Sequence, residues 1–357
     1  MKKELKLMKG NEALAEASIR AGADAYFGYP ITPQSEILEY LALHAQKRTG
    51  MVILQAESEV AAINMIYGAA GTGKKVLTTS SSPGISLMQE GISYIACAEL
   101  PCVLVNVVRG GPGLGTIQPS QGDYFQAVKG GGHGDYKMIV LAPSTVQEMV
   151  DHLKLGFELA FKWKNPIMIL TDGALGQMME KVELFEQMPR ITEVPEWATV
   201  GKPTTRERNF ITSLHIEPDK MQLINLHLQA KYREIEKEEI RYEIVNCEDA
   251  DVVLVAFGLT ARICQKAAQL AREKGIKVGV FRPITLFPYP YQPLNQLADR
   301  VKGILTVEMN AGQMVEDVRL AVNGKVDVEF LGRMGGIIPN PEEILHKIEE
   351  IFEGVTI

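Results

Sequence analysis

The chain has 357 residues, 46% of them hydrophobic and 23% charged, which is typical of a globular protein long enough for two domains of ordinary size. A formal net charge of −7 argues against nucleic acid as the main partner, because phosphate binding favours a basic surface. No apolar run approaches the ~18 residues of a membrane span and the N-terminus lacks the apolar core of a signal peptide, so we expect a cytoplasmic protein without a membrane partner.

The four cysteines do not form a ligand pattern. Cys97 and Cys102 are close in sequence, whereas Cys247 and Cys264 lie far from them, and no Cys-x-x-Cys pair occurs. Zinc sites and iron–sulfur clusters need closely spaced thiolates. We therefore predict buried free thiols in a reducing compartment and no metal ligands on this chain. If the protein takes part in electron transfer, the clusters belong to another chain.

Strand-like and helix-like segments alternate along the first half of the chain. A helical pattern over 10–21 is followed by a short strand at 25–27, a helix at 36–45 and a strand at 51–55. Further strand–helix units continue to about residue 180. This alternation is typical of an α/β fold with a mostly parallel sheet.

The segment from Tyr29 to Pro33 interrupts this rhythm with two prolines. They fix their own φ angles and disfavour helix in the residues before them, which holds Thr32 extended in a rigid loop. The loop lies at a strand-to-helix junction, where α/β proteins bind ligands. Two interpretations stay open: Thr32 presents its hydroxyl to a ligand, or Thr32 or Ser35 only caps the next helix.

Two carboxylates precede the alanine-rich helix that is predicted from Val60. Glu57 and Glu59 could both be first-turn residues that favour the positive end of the helix dipole. Alternatively, one of them faces inward, next to a ligand. The residues alone do not decide between the two.

A phosphate-loop pattern, G-x-x-x-x-G-K, occurs over 68–74 but is rejected. Lys75 stands where a serine or threonine should bind magnesium, and a helix precedes the pattern where a strand is needed. We predict a helix end and a turn before a strand that begins at Val76.

The most apolar strand of the sequence, 101–108, ends at Arg109. An arginine at the carboxyl end of a central strand, beside the flexible glycines of 110–115, is well placed to hold a small carboxylate or phosphate. A salt bridge to a neighbouring acid is the alternative. The glycines do not form G-x-G-x-x-G, because position 116 is threonine, so a dinucleotide site is not supported. His133, in a glycine-rich loop, is either an acid/base group or simply an exposed histidine.

The second half of the chain begins with a change in composition. Prolines and mixed charges over 181–217 indicate an extended strap, and Pro218 opens a charged helix. A smaller α/β unit follows. The predicted division is 1–180 for the first domain, 181–247 for the strap and connecting helix, and 248–357 for the second domain.

Taken together, these residues resemble the alpha-type subunit of the 2-oxoacid:ferredoxin oxidoreductases, and the resemblance covers nearly the whole chain. Within that family the segment 28–36 is most similar to the branched-chain (2-oxoisovalerate) enzymes. The resemblance implies a thiamine-diphosphate-binding-type parallel-sheet pyrimidine domain followed by a smaller transketolase C-terminal-like α/β domain. The motifs that carry it are Gly-Tyr-Pro-Ile-Thr-Pro (28–33), Gln-Ala-Glu-Ser-Glu (55–59), Val-Arg-Gly-Gly (108–111), Thr-Asp-Gly (171–173) and Arg-Pro-Ile-Thr-Leu-Phe-Pro (282–288).

The resemblance also implies a reaction in which a 2-oxoacid, CoA and oxidised ferredoxin give an acyl-CoA, CO2 and reduced ferredoxin. Thr32 falls on the threonine that hydrogen-bonds the 2-oxoacid, and Arg109 on the arginine that pairs with its carboxylate. Glu59 falls on the glutamate that contacts N1′ of the thiamine aminopyrimidine, with Glu57 a weaker candidate. By the same resemblance Pro30 and Ile31 contact the cofactor and Tyr29 the substrate.

The absence of a diphosphate-binding motif is consistent with a chain that is one subunit of a larger enzyme. No Gly-Asp-Gly…Asn-Asn segment is available to hold magnesium and diphosphate. The resemblance therefore implies that the thiamine diphosphate site is shared with a beta-type partner. That partner would bind the diphosphate part of the cofactor and Mg²⁺, and it would carry an iron–sulfur cluster. Small gamma- and delta-type subunits and ferredoxin complete the expected partners, and the chain is expected to be inactive alone.

Other functions remain open at this stage. Within the family, 2-oxoglutarate or pyruvate could be the substrate. Outside it, the chain could be a non-redox thiamine-dependent 2-oxoacid decarboxylase subunit or transketolase half. It could also be a binding or scaffolding protein in which Glu59 and Arg109 merely pair with neighbouring residues.

Overall fold

The first half of the chain alternates strands and helices as its sequence predicts. A computed structural model describes residues 4–202 and 205–354. Its elements up to residue 184 are β1 (Glu4–Lys9), α1 (Gly10–Arg20), β2 (Ala25–Gly28), α2 (Ser35–Thr49), β3 (Val52–Gln55), α3 (Glu59–Ala70), β4 (Val76–Ser80), α4 (Pro83–Cys97), β5 (Cys102–Val108), α5 (Tyr124–Val128), β6 (Ile139–Leu141), α6 (Val146–Trp163), β7 (Pro166–Asp172), α7 (Gly173–Gln177) and β8 (Met179–Leu184).

The second half opens with a long helix at the predicted proline. The strap that precedes this helix has no helix or strand between residues 185 and 217, and its positions 203 and 204 lie outside the described residues. The elements that follow are α8 (Pro218–Glu238), β9 (Tyr242–Val245), β10 (Val252–Val255), α9 (Gly258–Glu273), β11 (Val278–Pro283), β12 (Thr285–Phe287), α10 (Tyr291–Ala298), β13 (Gly303–Glu308), α11 (Met314–Val322), β14 (Val328–Gly332) and α12 (Pro341–Glu353).

The described strands form three sheets. A seven-stranded sheet has the order β12-β6-β7-β5-β4-β2-β3, and all its pairs are parallel except β12 with β6. A five-stranded sheet has the order β14-β13-β10-β11-β9, with only β9 antiparallel to its neighbour. β1 and β8 form a separate antiparallel pair. The predicted α/β class with mostly parallel sheets is confirmed, whereas the domain boundaries stay a prediction.

The start of α2, the turn after α3 and the strand β8 each bear on a local prediction. Gln34, not Thr32 or Ser35, is the N-cap residue of α2, and no side chain accepts a hydrogen bond there, so the capping interpretation is wrong. The segment 71–75 is a turn between α3 and β4, which agrees with the rejection of the phosphate loop. β8 occupies the first residues of the predicted strap, because they pair with the N-terminal strand that the sequence analysis missed.

The cysteines lie apart from any metal-binding arrangement in the described residues. Cys102, Cys247 and Cys264 are buried and free, as predicted, whereas Cys97 is only partly buried. Within residues 4–202 and 205–354, no group of three His, Cys, Asp or Glu side chains is arranged to hold a metal ion. In the same residues, no helix is both long and apolar enough to cross a membrane.

The loop from Tyr29 to Pro33 is held from two sides. The Asn11 side chain, buried in α1, donates from Nδ2 to the carbonyl of Pro33 at 2.7 Å. The Gln34 side chain donates from Nε2 to the carbonyl of Tyr29 at 3.1 Å and accepts from the Thr79 hydroxyl of β4 at 2.5 Å. The polar side chains of two neighbouring elements therefore fix the loop at the carboxyl edge of the sheet.

Gln121 joins the loop that follows Arg109 to the second sheet. Its Nε2 donates to the carbonyl of Phe257 at 2.7 Å, and its Oε1 accepts from the backbone N–H of Met309 at 3.0 Å. The Thr260 hydroxyl donates to the same Oε1 at 3.2 Å. Because Gln121 is buried, these bonds satisfy an amide that water does not reach. They bring the loop after β13 next to Arg109.

Replacing Gly10 with alanine is expected to destabilise the chain. An added Cβ would lie 2.1 Å from the carbonyl oxygen of Leu175 and 2.9 Å from Met149 Sδ, so the start of α1 would have to move. We expect a loss of about 2–3 kcal/mol in the free energy of unfolding, measured by chemical denaturation of the purified chain. Gly68→Ala is the control: no atom lies within 4 Å of its added Cβ, and a helical alanine should be neutral or stabilising by up to about 1 kcal/mol. Equal stabilities of the two variants would contradict the packing described.

Candidate active site

Arg109 and the proline loop meet at the carboxyl edge of the seven-stranded sheet. The Arg109 guanidinium donates from Nη1 to the carbonyl of Thr32 at 3.0 Å and from Nη2 to the carbonyl of Leu114 at 2.8 Å. Its Nε is buried without a hydrogen-bond partner, and no carboxylate of the described residues lies within 4 Å of the guanidinium. The salt-bridge alternative therefore finds no partner there. The uncompensated charge favours binding of an anion.

Glu59 is buried at the start of α3. Only 5% of the residue is exposed, and its carboxyl makes neither a hydrogen bond nor an ion pair with any residue that the structure describes. The adjacent Ser58 caps the helix, accepting from the backbone N–H of Ala61 at 3.3 Å. Glu57, two residues earlier, is exposed. Of the two candidate carboxylates, only Glu59 thus faces the interior.

The start of α4 packs closely against Glu59 and Ser80. A Cβ added to Gly84 would lie 2.4 Å from Glu59 Oε1 and 2.0 Å from Ser80 Oγ. The hydroxyls of Ser80 and Ser81 are buried without partners. Buried polar groups in folded proteins are almost always hydrogen-bonded, so these three side chains together fit a bound molecule that offers them polar atoms. The aminopyrimidine of thiamine diphosphate is such a molecule.

The start of α4 lies between Glu59 and Arg109. Gly84 approaches the Glu59 carboxyl, and Ser82, two residues earlier, hydrogen-bonds the backbone of Arg109. The helix thereby links the two charged side chains that the sequence analysis selected independently.

A cavity of about 430 Å³ opens next to Arg109, between the two larger sheets. Arg109 and Asp123 are the charged residues among those that line it. The remaining lining residues are neutral: Ser82, Pro83, Ser86, Gly110, Gly111, Pro112, Gly113, Leu114, Ser120, Gly122, Met309, Asn310, Ala311, Gln313, Met334 and Gly335.

Three residues of this site were missed by the sequence analysis. Asn106 is a fully buried polar residue of β5, Asp123 lines the cavity, and Ser82 precedes α4 with a φ of 20°. Burial raises the pKa of Asp123, and the hydrogen bond from Asn106 opposes that shift. Asn106 had a detectable signal in the sequence, because it is the polar residue inside an otherwise apolar strand.

The other predicted site residues are more exposed than Glu59 or lie away from the cavity beside Arg109. Tyr29 and Ile31 are partly buried in the proline loop, and Pro30 is exposed. His133 is exposed and lines a separate cavity of about 90 Å³ with Tyr94 and Cys97. The structure thus does not bring His133 to the cavity beside Arg109.

Asp172 caps the short helix α7, and the residue after it packs against the proline loop. Its Oδ1 accepts from the backbone N–H groups of Ala174 at 2.8 Å and Leu175 at 3.1 Å, which caps α7. A Cβ added to the next residue, Gly173, would lie 2.9 Å from Pro33 Cγ. Burial raises the pKa of Asp172 to about 6, although the two N–H groups favour its ionised form.

Comparison with known proteins agrees with this geometry. Residues 16–244 match the family model described as pyruvate flavodoxin/ferredoxin oxidoreductase, thiamine-diphosphate-binding, and residues 250–344 match pyruvate:ferredoxin oxidoreductase core domain II. The chain therefore belongs to the 2-oxoacid:ferredoxin oxidoreductase family.

Individual relatives are similar over nearly the whole chain. The chain is 49% identical to the ketoisovalerate oxidoreductase subunit VorB of Methanothermobacter thermautotrophicus, over 97% of each chain. It is 36% identical to the 2-oxoglutarate synthase subunit KorA of Methanocaldococcus jannaschii, over 96% of this chain and 98% of that one. The predicted resemblance to this family is confirmed.

Solved structures confirm the predicted fold. The 2-oxoglutarate:ferredoxin oxidoreductase of Magnetococcus marinus, solved with 2-oxoglutarate, coenzyme A and succinyl-CoA bound, matches with a TM-score of 0.85 and 28% identity. The match covers 98% of this chain and 65% of that chain. A split-gene transketolase, described as an inactive beta4 tetramer, matches with a TM-score of 0.61 at 14% identity over 97% of this chain and 98% of that one, a likeness of fold alone.

The buried carboxyl of Asp172 predicts a pH dependence of stability. Its folded-state pKa of about 6 exceeds the ordinary value of 3.8, so the folded state binds the proton more tightly. The stabilising effect of that proton is complete below the unfolded-state pKa and is lost as the pH rises through about 6. Relative to Asp172→Asn, which keeps an oxygen for capping, the wild-type chain should lose about 3 kcal/mol of unfolding free energy between pH 3 and 7.

Chemical denaturation across that pH range measures the difference. Asp219→Asn, at the exposed start of α8, is the control and should follow the wild-type curve. Parallel curves for the wild-type and Asp172→Asn chains would show that the Asp172 carboxyl is not shifted.

Proposed function

We propose that this chain is the alpha-type subunit of a cytoplasmic, thiamine-diphosphate-dependent 2-oxoacid:ferredoxin oxidoreductase. The assembled enzyme converts a 2-oxoacid, CoA and oxidised ferredoxin into an acyl-CoA, CO2 and reduced ferredoxin. The observation that carries the proposal is the position of two side chains on either side of the start of α4. These are the buried Glu59 carboxyl and the Arg109 guanidinium, and neither has an ion-pair partner among the described residues. The family membership supports the same conclusion.

Glu59 is the residue proposed to hold the cofactor. Its carboxyl would face N1′ of the aminopyrimidine and hold a proton at that atom, a task that suits a desolvated carboxyl. When bound, thiamine diphosphate supplies the nucleophilic carbon that the amino acid side chains lack. Pro30 and Ile31, in the adjacent loop, are proposed to flank the cofactor, and Gly84 allows the start of α4 to approach the Glu59 carboxyl, where a side chain would clash.

Arg109 is proposed to bind the substrate carboxylate. A guanidinium without a protein carboxylate partner can form short, charge-assisted hydrogen bonds to that group. The Thr32 loop lies against the same guanidinium, which supports hydrogen bonding of the 2-oxoacid by Thr32 and contact by Tyr29. These interactions orient the substrate and hold its 2-oxo carbon near the cofactor.

The lining of the cavity favours a branched-chain 2-oxoacid. Arg109 is the cationic residue among the lining residues, and Leu114, Met309 and Met334 add apolar surface. The second carboxylate of 2-oxoglutarate would find no further cation there, and an unpaired charge is costly in a desolvated site. The similarity to a ketoisovalerate oxidoreductase subunit supports the same choice. The similarity to the 2-oxoglutarate synthase subunit KorA makes 2-oxoglutarate the second candidate.

The remaining parts of the enzyme are proposed to lie on partner chains. The sequence has no Gly-Asp-Gly…Asn-Asn segment, so a beta-type subunit would hold the diphosphate and Mg²⁺. The four cysteines of this chain do not show the spacing typical of cluster ligands, so iron–sulfur clusters would lie on the beta-type and small gamma- or delta-type subunits. Ferredoxin would take the electrons from those clusters.

Isolation of the native assembly tests this function. We expect the chain, purified anaerobically from its host, to carry along partner chains that contain iron and thiamine. The assembly should reduce a viologen dye with CoA and 2-oxoisovalerate at a higher kcat/KM than with 2-oxoglutarate or pyruvate. A preference for 2-oxoglutarate would change the substrate assignment. An assembly without thiamine or dye reduction would contradict the function itself.

Replacing Glu59 tests the role of its carboxyl. In the assembled enzyme, Glu59→Gln should lower kcat by about 10²-fold or more, because the amide cannot exchange a proton with N1′. Glu57→Gln is the matched control, since Glu57 is exposed and two residues away, and it should leave kcat unchanged. Bound thiamine is measured in both variants to separate cofactor loss from slow chemistry. Full activity of Glu59→Gln with thiamine bound would rule out the proposed role.

A further inference from the structure

The residue before α4 has an unusual backbone. Ser82 has a φ of 20° and a ψ of −77°, outside the regions that side-chain-bearing residues normally adopt. Such a conformation persists only where surrounding contacts hold it, and it is found mainly at functional sites. Ser82 lines the cavity beside Arg109.

Two hydrogen-bonded groups hold Ser82 in this conformation. Its backbone N–H donates to Oδ1 of Asn106 at 3.0 Å. The other end of that amide, Nδ2, donates to Oδ2 of Asp123 at 2.8 Å. Asn106 is fully buried in β5, so its amide can serve both partners only in this one orientation. A continuous chain of bonds therefore runs from Asp123 through Asn106 to Ser82.

The same serine holds the backbone of Arg109. The Ser82 hydroxyl accepts from the Arg109 backbone N–H at 3.1 Å and donates to the Arg109 carbonyl at 3.3 Å. The Arg109 guanidinium is anchored only by two carbonyl groups, those of Thr32 and Leu114, among the described residues. Its direction therefore depends on where its backbone is placed.

We propose that Asp123, acting through Asn106 and Ser82, is a positioning residue that places Arg109 to receive the carboxylate of the 2-oxoacid. The inference rests on the proposed function, because it gives a task to the arginine that the function uses. The network holds the backbone of Arg109, and the proline loop accepts a hydrogen bond from its guanidinium, so both ends of the residue are held. Misplacement by about 1 Å can cost two orders of magnitude in rate, which makes such support valuable.

Ser82→Gly separates this role from a purely structural one. Glycine, which has no Cβ, adopts positive φ angles with less strain than serine, so the variant should keep or increase its melting temperature. It lacks the hydroxyl that holds Arg109, so we expect the KM for the 2-oxoacid to rise about tenfold while kcat changes less than about threefold. An unchanged KM in the assembled enzyme would overturn the proposal, as would a parallel loss of stability and activity.

Variants of Asp123 test the far end of the network. Asp123→Ala should raise the KM about tenfold, whereas Asp123→Asn keeps an oxygen that can accept from Asn106 and should stay within about threefold of wild type. Equal damage by both variants would show that the charge contacts a ligand directly and would overturn the proposal. Asp219→Ala, on the exposed start of α8, is the control for loss of a carboxylate.

A double-mutant cycle decides whether Asp123 acts through Arg109. Arg109→Ala should raise the KM strongly, and adding Asp123→Ala should cause no further increase, because the residue being positioned is already gone. Additive losses would overturn the proposal. A wild-type assembly that oxidises no 2-oxoacid would instead contradict the proposed function and, with it, this inference.

Discussion

The hydrogen bonds between Ser82 and the backbone of Arg109 join the two halves of the candidate site. They tie the start of α4 to the end of β5, and α4 carries Gly84 against the Glu59 carboxyl. Parallel strands end at the same edge of a sheet, so the segments after β2, β3, β4 and β5 converge there without any special arrangement. Beyond this convergence, the site requires a defined orientation of its side chains. The buried amide of Asn106 contributes to it by accepting a hydrogen bond from the Ser82 backbone.

The second sheet completes the wall of the cavity. β12, from the motif Arg-Pro-Ile-Thr-Leu-Phe-Pro, pairs with β6 of the first sheet, so residues more than 140 positions apart share one layer. Gln121 forms five hydrogen bonds with the second half of the chain through its side chain and backbone. These contacts make the loop that follows Arg109 part of the interface between the sheets, and they satisfy polar groups that are buried near Arg109.

Much of this organisation could be predicted from local patterns. The alternation of strands and helices predicted the parallel sheets, and the prolines around Thr32 and the arginine after β5 marked the edge at which they meet. Several elements were missed. The strands β9 and β12, of four and three residues, and the five-residue helix α7 are too short to show a periodicity, and β1 depends on its pairing with β8. The capping interpretation of Thr32 or Ser35 was wrong, because α2 begins at Ser35 with Gln34 as its N-cap residue and without a side-chain cap.

The amino-acid sequence by itself determined the α/β class, the family and the residue types available for chemistry, since these follow from periodicity and from motifs within short stretches of chain. Only the tertiary structure decided which carboxylate is buried, because Glu57 and Glu59 differ in nothing that their sequence neighbours reveal and are distinguished by the approach of Gly84 from another helix. It also decided that Arg109 has no carboxylate partner among the described residues. A chain of hydrogen bonds from Asp123 through Asn106 and Ser82 reaches the Arg109 backbone. Burial and hydrogen-bond pairing are properties of distant segments brought together, and no local pattern contains them.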